Sequence, residues 1–410
     1  MSQIVLSPQI DLAAAVIASG IADEPVTNLV ETAMQRLVAV GVPLARMQVG
    51  FRILHPLFDG MSITWTEEAG VEINYYEAID EDGSQYRTSP FYYMLSNGMM
   101  EMRLRLDRDS VVERFPLLAG FRERGLTDYL ALIVAFGDAP LTPETHDGLG
   151  TSWSTKDPQG FTDAHVAAMR QVLAPLALAL RVVIKDQITK AALDTFHGPL
   201  VGGRILAGTI KRGAGERLSA ALWYSDLRNS TGLADQLPVE AFLDLLNVYF
   251  DCAAGAVTEA GGQVLDIVGD AIVAFFPAAE AGEEEACRAA LTAARCAQNR
   301  LAKLKADGNP RAASIAFGVG VHFGDVVFGN AGTADRLKFG VIGRAVNEVA
   351  RTQDMSKLLG HPVVVTDAVA SRVKNSSGNG RTDGFHLTDL GAHDLRGIPA
   401  ARQLWALQLG

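Results

Sequence analysis

The chain has 410 residues, more than one hydrophobic core ordinarily organises, so two domains joined by a connector are expected. Apolar residues make up 48% and charged residues 20%, which excludes a disordered chain. A formal net charge of −11 excludes a general nucleic-acid binder, which needs a basic surface, but not the binding of one nucleotide through local cations and metal.

Residues 1–25 read as an N-terminal extension. The stretch lacks a basic start and carries Asp11 within its apolar part, so it makes a poor signal peptide. The longest apolar run, from Val172 onward, is cut by Arg181 and Lys185. No membrane insertion is expected, and a cytoplasmic location is the expectation. Cys252, Cys287 and Cys296 show no CxxC spacing and read as reduced, packed thiols. With no cysteine before Cys252, a thioether-linked chromophore in the first half is excluded.

Residues 26–40 repeat apolar positions at helical spacing, with Thr27 or Asn28 as the cap, and Gly41-Val42-Pro43 ends that helix. Met47 to Leu54 and Met61 to Thr66 read as strands, and Met102 to Leu106 alternates as a half-exposed strand. Pro116 to Arg124 reads as a short helix, Tyr129 to Phe136 and Gly148 to Ser154 as strands. Thr162 or Asp163 caps a long helix from Ala164 to Ile184. The aromatic group Tyr75, Tyr76, Phe91, Tyr92 and Tyr93 reads as core rather than as a pocket lining, and His55 as no ligand. The run from Gly148 through Gly160-Phe161-Thr162-Asp163 to Leu180 resembles the closing strand and exit helix of GAF-type sensor domains. That resemblance implies a GAF-like α/β regulatory domain over 26–180 that binds a small-molecule ligand or dimerises.

Residues 181–215 form the connector. Leu176 to Leu193 keeps a helical apolar stripe suited to a parallel helix pair in a dimer, and His197-Gly198-Pro199 and Gly202-Gly203 break it. From 219 the order is strand (219–225), helix (238–260), hairpin (263–276), helix (281–305) and strand (313–321). Strand pieces near 325–330 and 336–342, a helix (344–358) and further strands near 362–366, 385–389 and 402–408 follow. The expected class is α+β: a ferredoxin-like antiparallel sheet with helices on one face, its other face free for a partner or ligand. Within it, Asp226 ends an apolar strand and Asp270 sits in a hairpin turn. Two carboxylates meeting at a sheet edge repel unless a cation lies between them, and Mg²⁺ accepts one or two carboxylates plus water and phosphate oxygens.

Four motifs then recur in order: Trp223 to Thr231, Val268-Gly269-Asp270-Ala271, Gly318 to Gly324 and Phe339 to Arg351. Together they resemble the catalytic domain of class III adenylyl and guanylyl cyclases, over 216–410. The resemblance implies conversion of ATP or GTP to a 3′,5′-cyclic monophosphate and pyrophosphate in an obligate homodimer. It implies two ions, Mg²⁺ or Mn²⁺, per active site, held by Asp226 and Asp270. Asn347 would orient the ribose and Arg351 would meet the charge on phosphorus, one helical turn apart. The turn Leu227, Arg228, Asn229, Ser230 and Thr231 would offer backbone N–H groups to phosphate, and Arg396 stands near the place of a phosphate-binding lysine.

The pattern departs at the base. Adenylyl cyclases commonly carry a lysine four residues before the second metal aspartate, where this chain has Asp266, and the partner position is Gly340. A carboxylate there accepts from guanine N1–H and N2, or from adenine N6. Asn229-Ser230 replaces a usual Gly-Phe, and Asn tolerates left-handed backbone. Arg344 also departs from the family's usual Asp or Pro. The competing readings are a catalytically weak homologue that senses a ligand and a polymerase-like nucleotidyltransferase; the latter lacks a basic surface signal.

Overall fold

The computed structural model describes residues 8–22, 24–53, 58–77, 84–138, 141–143, 147–209, 211–279, 281–333, 335–374 and 384–409. It divides into two compact units, Met1–Ala192 and Leu193–Gly410. His55 lies outside the described residues.

The first unit opens with α1 (Pro8–Ile21) and α2 (Val26–Ala39), then β1 (Arg46–Arg52), β2 (Phe58–Thr66) and β3 (Gly70–Glu77). Next come α3 (Ser84–Arg87), α4 (Pro90–Ser96), β4 (Glu101–Arg105), α5 (Asp109–Arg114), a 3₁₀ turn, α6 (Ala119–Glu123), β5 (Asp128–Ala135), β6 (Gly148–Thr155) and α7 (Asp163–His197). The strands form one antiparallel sheet in the order β3-β2-β1-β6-β5-β4. Alternation along each strand sends Met47, Val49, Ile63 and Trp153 to one face, under α2 and the first half of α7. The opposite face packs Met102, Tyr129 and Ala131 beneath α4 and the 3₁₀ turn.

Local differences from the sequence reading have physical causes. Pro25, not Thr27 or Asn28, precedes the first turn of α2, because Val26 is already buried and starts the apolar stripe. Tyr75 and Tyr76 are 55% and 48% exposed because β3 is an edge strand, so they are not core. Tyr92 and Tyr93 line an open cleft of about 310 Å³ together with Arg87, Ser89 and Arg114. Thr162 does cap α7, its Oγ1 accepting from the His165 N–H at 3.2 Å. The helix continues beyond Ile184 to His197 and ends where Gly198 takes φ +79°.

The second unit takes in the end of α7 from Leu193 and then α8 (Pro199–Leu206), which contains Gly202 and Gly203 rather than breaking at them. A Cβ on Gly202 would stand 2.5 Å from Asp194 Oδ1, so glycine is needed there for helix-to-helix approach. Then follow β7 (Gly215–Leu227), α9 (Ser230–Gln236), α10 (Val239–Glu259), β8 (Gln263–Val268), β9 (Ala271–Pro277) and α11 (Glu283–Ala306). The chain closes with β10 (Phe317–Gly332), β11 (Leu337–Ile342), α12 (Arg344–Leu358), β12 (Val363–Thr366), α13 (Asp367–Lys374), β13 (Leu387–His393) and β14 (Arg402–Leu407). The order β10-β7-β9-β8, all antiparallel, is the ferredoxin-like core, and β12, β14 and β13 extend it, with β12 parallel to β10.

Three features of this sheet correct the sequence reading. The two pieces at 313–321 and 325–330 are one strand, β10, because it pairs with β7 without a break from Phe317 to Gly329. Helix α13 was not expected, yet Val369, Ala370 and Val373 are buried in the same core as α10 and α11. The second sheet face is not free: Val201 of α8 and Ala345 and Val349 of α12 pack there against Leu222, Phe275 and Phe328.

Helix α12 can lie on the sheet because β10 presents Gly318, Gly320 and Gly324 towards it. A Cβ on Gly320 would fall 2.5 Å from the Gln353 backbone N, and one on Gly324 would fall 2.9 Å from Ala345 Cβ. The same helix is tied down by Glu348, 5% exposed, which takes a bidentate hydrogen bond from Arg402. Burial pushes the Glu348 carboxyl up, but the Arg402 bond and the nearby charges outweigh it and hold it below the usual range. His322 of β10 bonds Thr366 Oγ1 at 2.9 Å, and burial lowers its pKa to about 4, so it is neutral at pH 7.

By length and hydropathy, α7 and α10 both reach the range of a membrane span. Each instead lends residues to a packed core, Val172, Leu176 and Leu180 from α7 and Leu245, Tyr249 and Val257 from α10. Cys252 and Cys287 are buried and Cys296 half-buried, all as free thiols.

Gly320→Ala is expected to destabilise the second unit by about 1–3 kcal/mol through forced displacement of α12, measured by denaturant unfolding. An unchanged midpoint would show that α12 does not rest on that backbone. His322 has a folded pKa below its unfolded value of 6.5, so the unfolded chain binds more protons between the two. Stability is therefore full above pH 6.5 and is lost as pH falls towards 4. The depressed Glu348 works in the same direction at lower pH. His322→Asn should flatten the upper part of that fall in unfolding midpoints taken from pH 7 to pH 4.

Candidate active site

Strand β7 buries Ala221, Trp223 and Leu227 against α10 and α11, so Tyr224 and Asp226 project from the other sheet face. Asp226 pairs in register with Ala271, and Ala271 pairs with Val268 across the β8–β9 turn. Gly269, at φ +65°, closes that turn and brings Asp270 beside the end of β7. Asp226 and Asp270 come close enough for the charge of one carboxyl to be felt at the other. Asp226 is pushed up to about 6, first by burial, then by the charge of Asp270, and further by Asp354. The Leu227 N–H opposes this by donating to Asp226.

This donor set fits a divalent cation. Two partly buried carboxylates of like charge share a proton when nothing else compensates them, and a cation substitutes for that proton. Among the described residues no group of three or more His, Cys, Asp or Glu side chains clusters at metal-binding distance. The pair would therefore leave most of the coordination shell to water and phosphate oxygens.

The turn after Asp226 keeps its shape through Asn229, which sits at φ 59°, ψ 33° and precedes α9. It is the one non-glycine residue with positive φ among the described residues, consistent with the tolerance of Asn for this region. Ser230 and Thr231 begin α9. Leu227 is buried. Arg228 departs from the expectation of a phosphate ligand. Its backbone N–H is spent on Ala316 O at 2.7 Å, and its guanidinium donates to Ser356 O and His361 O at 3.0 and 3.1 Å. It therefore fastens the end of α12 to the loop before β12.

On α12, Asn347 is exposed and Arg351 is half-buried, four residues apart on one face. Arg351 is held by Asp354 at 2.9 Å and lies close enough to Tyr224 for its charge to be felt there. Burial, then Asp226, raises the Tyr224 pKa. Sequence reasoning passed over Asp354 and Tyr224. The i, i+3 spacing of Arg351 and Asp354 was the available signal for the first. Asp266 of β8 is ion-paired with Lys338 of β11, a partner that the sequence reading did not find. Gly340 lies two residues along β11, and Arg396 is exposed in the loop after β13.

Residues 216–408 match the family model described as "Adenylate and Guanylate cyclase catalytic domain". An adenylate cyclase of Anabaena cylindrica is 32% identical over 169 residues, 39% of this chain and 32% of that protein. Adenylate cyclase 1 of Rhizobium meliloti is 27% identical over 47% of this chain and 27% of its own length. The chain thus spans about a third or less of these relatives. Among solved structures, an adenylyl cyclase from P. aeruginosa aligns over 48% of this chain and 96% of that one, with 23% identity and a TM-score of 0.41.

Mn²⁺ should raise the melting temperature of the chain at pH 7.5, by about 2.7 kcal/mol of added stability at a hundredfold excess over Kd. The gain should shrink at pH 5, where Asp226 is protonated. The metal-free contribution of Asp226 has the opposite sign. It is full below the ordinary carboxyl value of 3.8 and lost as pH rises through about 6. Asp226→Asn should therefore raise the metal-free melting temperature at pH 7.5 and abolish the Mn²⁺ shift. A shift retained in that variant would remove Asp226 from the metal site.

Proposed function

We propose that this chain, whose residues 216–408 match the adenylate and guanylate cyclase catalytic domain, cyclises a purine nucleoside triphosphate to its 3′,5′-cyclic monophosphate in a homodimer. The observation that carries this reading is the Asp226–Asp270 carboxyl pair, brought together at one end of the sheet by the register of β7 with β9 and the Gly269 turn. ATP is the substrate favoured by the relatives, which carry the name adenylate cyclase. GTP is the second reading, favoured by a carboxylate at 266.

In the reaction the ribose 3′-oxygen bonds to the α-phosphorus, the bond from that phosphorus to the bridging oxygen of the β-phosphate breaks, and pyrophosphate leaves with the electron pair. Asp226 and Asp270 would hold divalent cations, which when bound would supply Lewis-acid activation of the 3′-hydroxyl and charge neutralisation of the triphosphate. The like charge of these two carboxylates favours a cation between them. Asn347 orients the ribose. Arg351 exchanges Asp354 for the equatorial oxygens of the phosphorus, a fixed cation where charge develops. The Asp226 and Asp270 of one protomer meet the Asn347 and Arg351 of its partner. Ser230 and Thr231, opening α9, face phosphate with backbone N–H groups, and Arg396 adds a mobile cation.

The first unit is a GAF-like regulatory domain that binds a small molecule. Its six-stranded antiparallel sheet, the exit helix α7 and the cleft beside Tyr92 and Tyr93 support that reading. Helix α7 carries the signal as one member of a parallel pair.

The purified chain, given Mn²⁺ with ATP and GTP, should release pyrophosphate and a 3′,5′-cyclic nucleotide identifiable by mass spectrometry. A folded dimer that turns over neither nucleotide would refute the enzyme and leave a ligand-sensing homologue. Asp226→Ala and Arg351→Ala should each lower kcat by at least about a hundredfold. Mixing the two variants in one differently tagged dimer should restore about one working site of two. A dead mixed dimer would rule out the shared site.

A further inference from the structure

We infer that the first unit binds a small organic anion on the α4 side of its sheet, in a trough floored by Gly50 and headed by the buried guanidinium of Arg46. The inference rests on the reading of this unit as a small-molecule binder and deepens it, by naming the charge of the ligand and its seat. It does not need the cyclase reading, and the residues of the trough are not those of the cleft beside Tyr92 and Tyr93.

On β1, β2 and β6 the even-numbered residues face α4, away from the core that holds Met47, Val49, Ile63 and Trp153. Arg46 is one of them. It is 8% exposed, and among the described residues it has no carboxylate partner. Its guanidinium donates to Ser152 Oγ at 3.3 Å and to Gln48 Oε1 at 2.9 Å, and it lies 4.7 Å from the centre of the Phe121 ring on α6. All three partners are neutral. Burial pulls its pKa down to about 10, and the charge of Arg124 acts the same way. A buried cation without a counter-charge is costly, and an anion that reached it would relieve that cost. Ser154, directly across from Arg46 on β6, also keeps a buried Oγ without a partner.

Arg46 also sets the direction of every bond beside it. A guanidinium only donates, so it holds the Gln48 amide with its oxygen inward and its NH₂ outward. Gln48 Nε2 then donates to Ser62 Oγ at 3.1 Å, and Ser62 Oγ shares a bond with Tyr76 OH at 2.8 Å. Whichever hydroxyl gives that proton, the other keeps one to donate. The row therefore offers donors and positive charge, which selects an anion. Space for it lies over Gly50, which pairs with Gly150 on one side and Ser62 on the other. A Cβ added at Gly50 would meet only Met61 O, at 4.0 Å, whereas at Gly150 the Phe91 ring would stand 2.7 Å away. On the far side the Tyr76 ring lies 3.9 Å from a Cβ added at Gly60. The gap over β1 and β2 is about 10 Å across, between two aromatic walls, which suits a ligand with a flat apolar body.

The test is titration calorimetry on the full chain with benzoate, phenyl phosphate and the neutral isostere benzamide. At least one of the two anions should bind about tenfold or more tighter than benzamide, and the tighter of them tells a carboxylate site from a phosphate site. Arg46→Met should weaken that anion by at least about tenfold and leave benzamide unmoved. Gly50→Val should abolish anion binding without lowering the melting temperature, because valine suits a strand and its Cβ enters open space. Benzamide binding as tightly as both anions would overturn the inference and leave the small-molecule reading standing. Anion binding that survives Gly50→Val would also overturn it. So would an Arg46→Met variant that melts lower yet binds the anion undiminished, since Arg46 would then serve the fold alone. Absence of binding by all three probes would reject the inference together with the small-molecule reading.

Discussion

Close approach of one helix to one strand holds the second unit in its working shape. Helix α12 lies directly on the backbone of β10, at a separation that Gly318, Gly320 and Gly324 permit and any larger residue would forbid. Everything on that helix inherits its position from this contact. Asn347 and Arg351 are surface residues whose placement comes from Ala345 and Val349, buried beneath them, and from Glu348, anchored by Arg402. Arg228, next but one to Asp226, locks the far end of the helix by its bonds to Ser356 and His361. The carboxylate end of β7 and the helix that faces it are therefore one mechanical object.

On that frame the charged groups are poised rather than satisfied. Burial and the nearby charge of Asp270 both disfavour the ionised form of Asp226. Arg351 is parked on Asp354, one turn along its own helix, and is only half-buried. Exposed pairs of this kind are weak, so the guanidinium is available to a stronger anion.

The first unit is built on different terms. Its sheet is covered on both faces, by α2 and α7 on one side and by α4 and the 3₁₀ turn on the other. Asp128, fully buried on β5, accepts from Arg103 and from the Phe161 N–H, and so fixes the entry to α7. That helix runs on for 35 residues, and the division between the two units falls within it.

Residue pattern alone gave the strand–helix–hairpin–helix–strand order of β7 to β10 and the i, i+4 spacing of Asn347 and Arg351, but not α8 or α13. These are local properties: apolar runs, turn residues and helical spacing are written in consecutive residues. It also located the Thr162 cap of α7 and the left-handed turn at Asn229, where a single side chain decides the backbone. Other features needed the tertiary structure, because they join residues far apart in the chain. The unbroken course of β10 depends on its pairing with β7, against the local turn signal of Gly324. The exposure of Tyr75 and Tyr76 depends on β3 being an edge. The occupied second sheet face depends on helices α8 and α12 finding glycines and small residues to lie on. Lys338 meets Asp266 across 72 positions, and only strand pairing brings them together. The partners of each charge were settled by which strands and helices lie side by side.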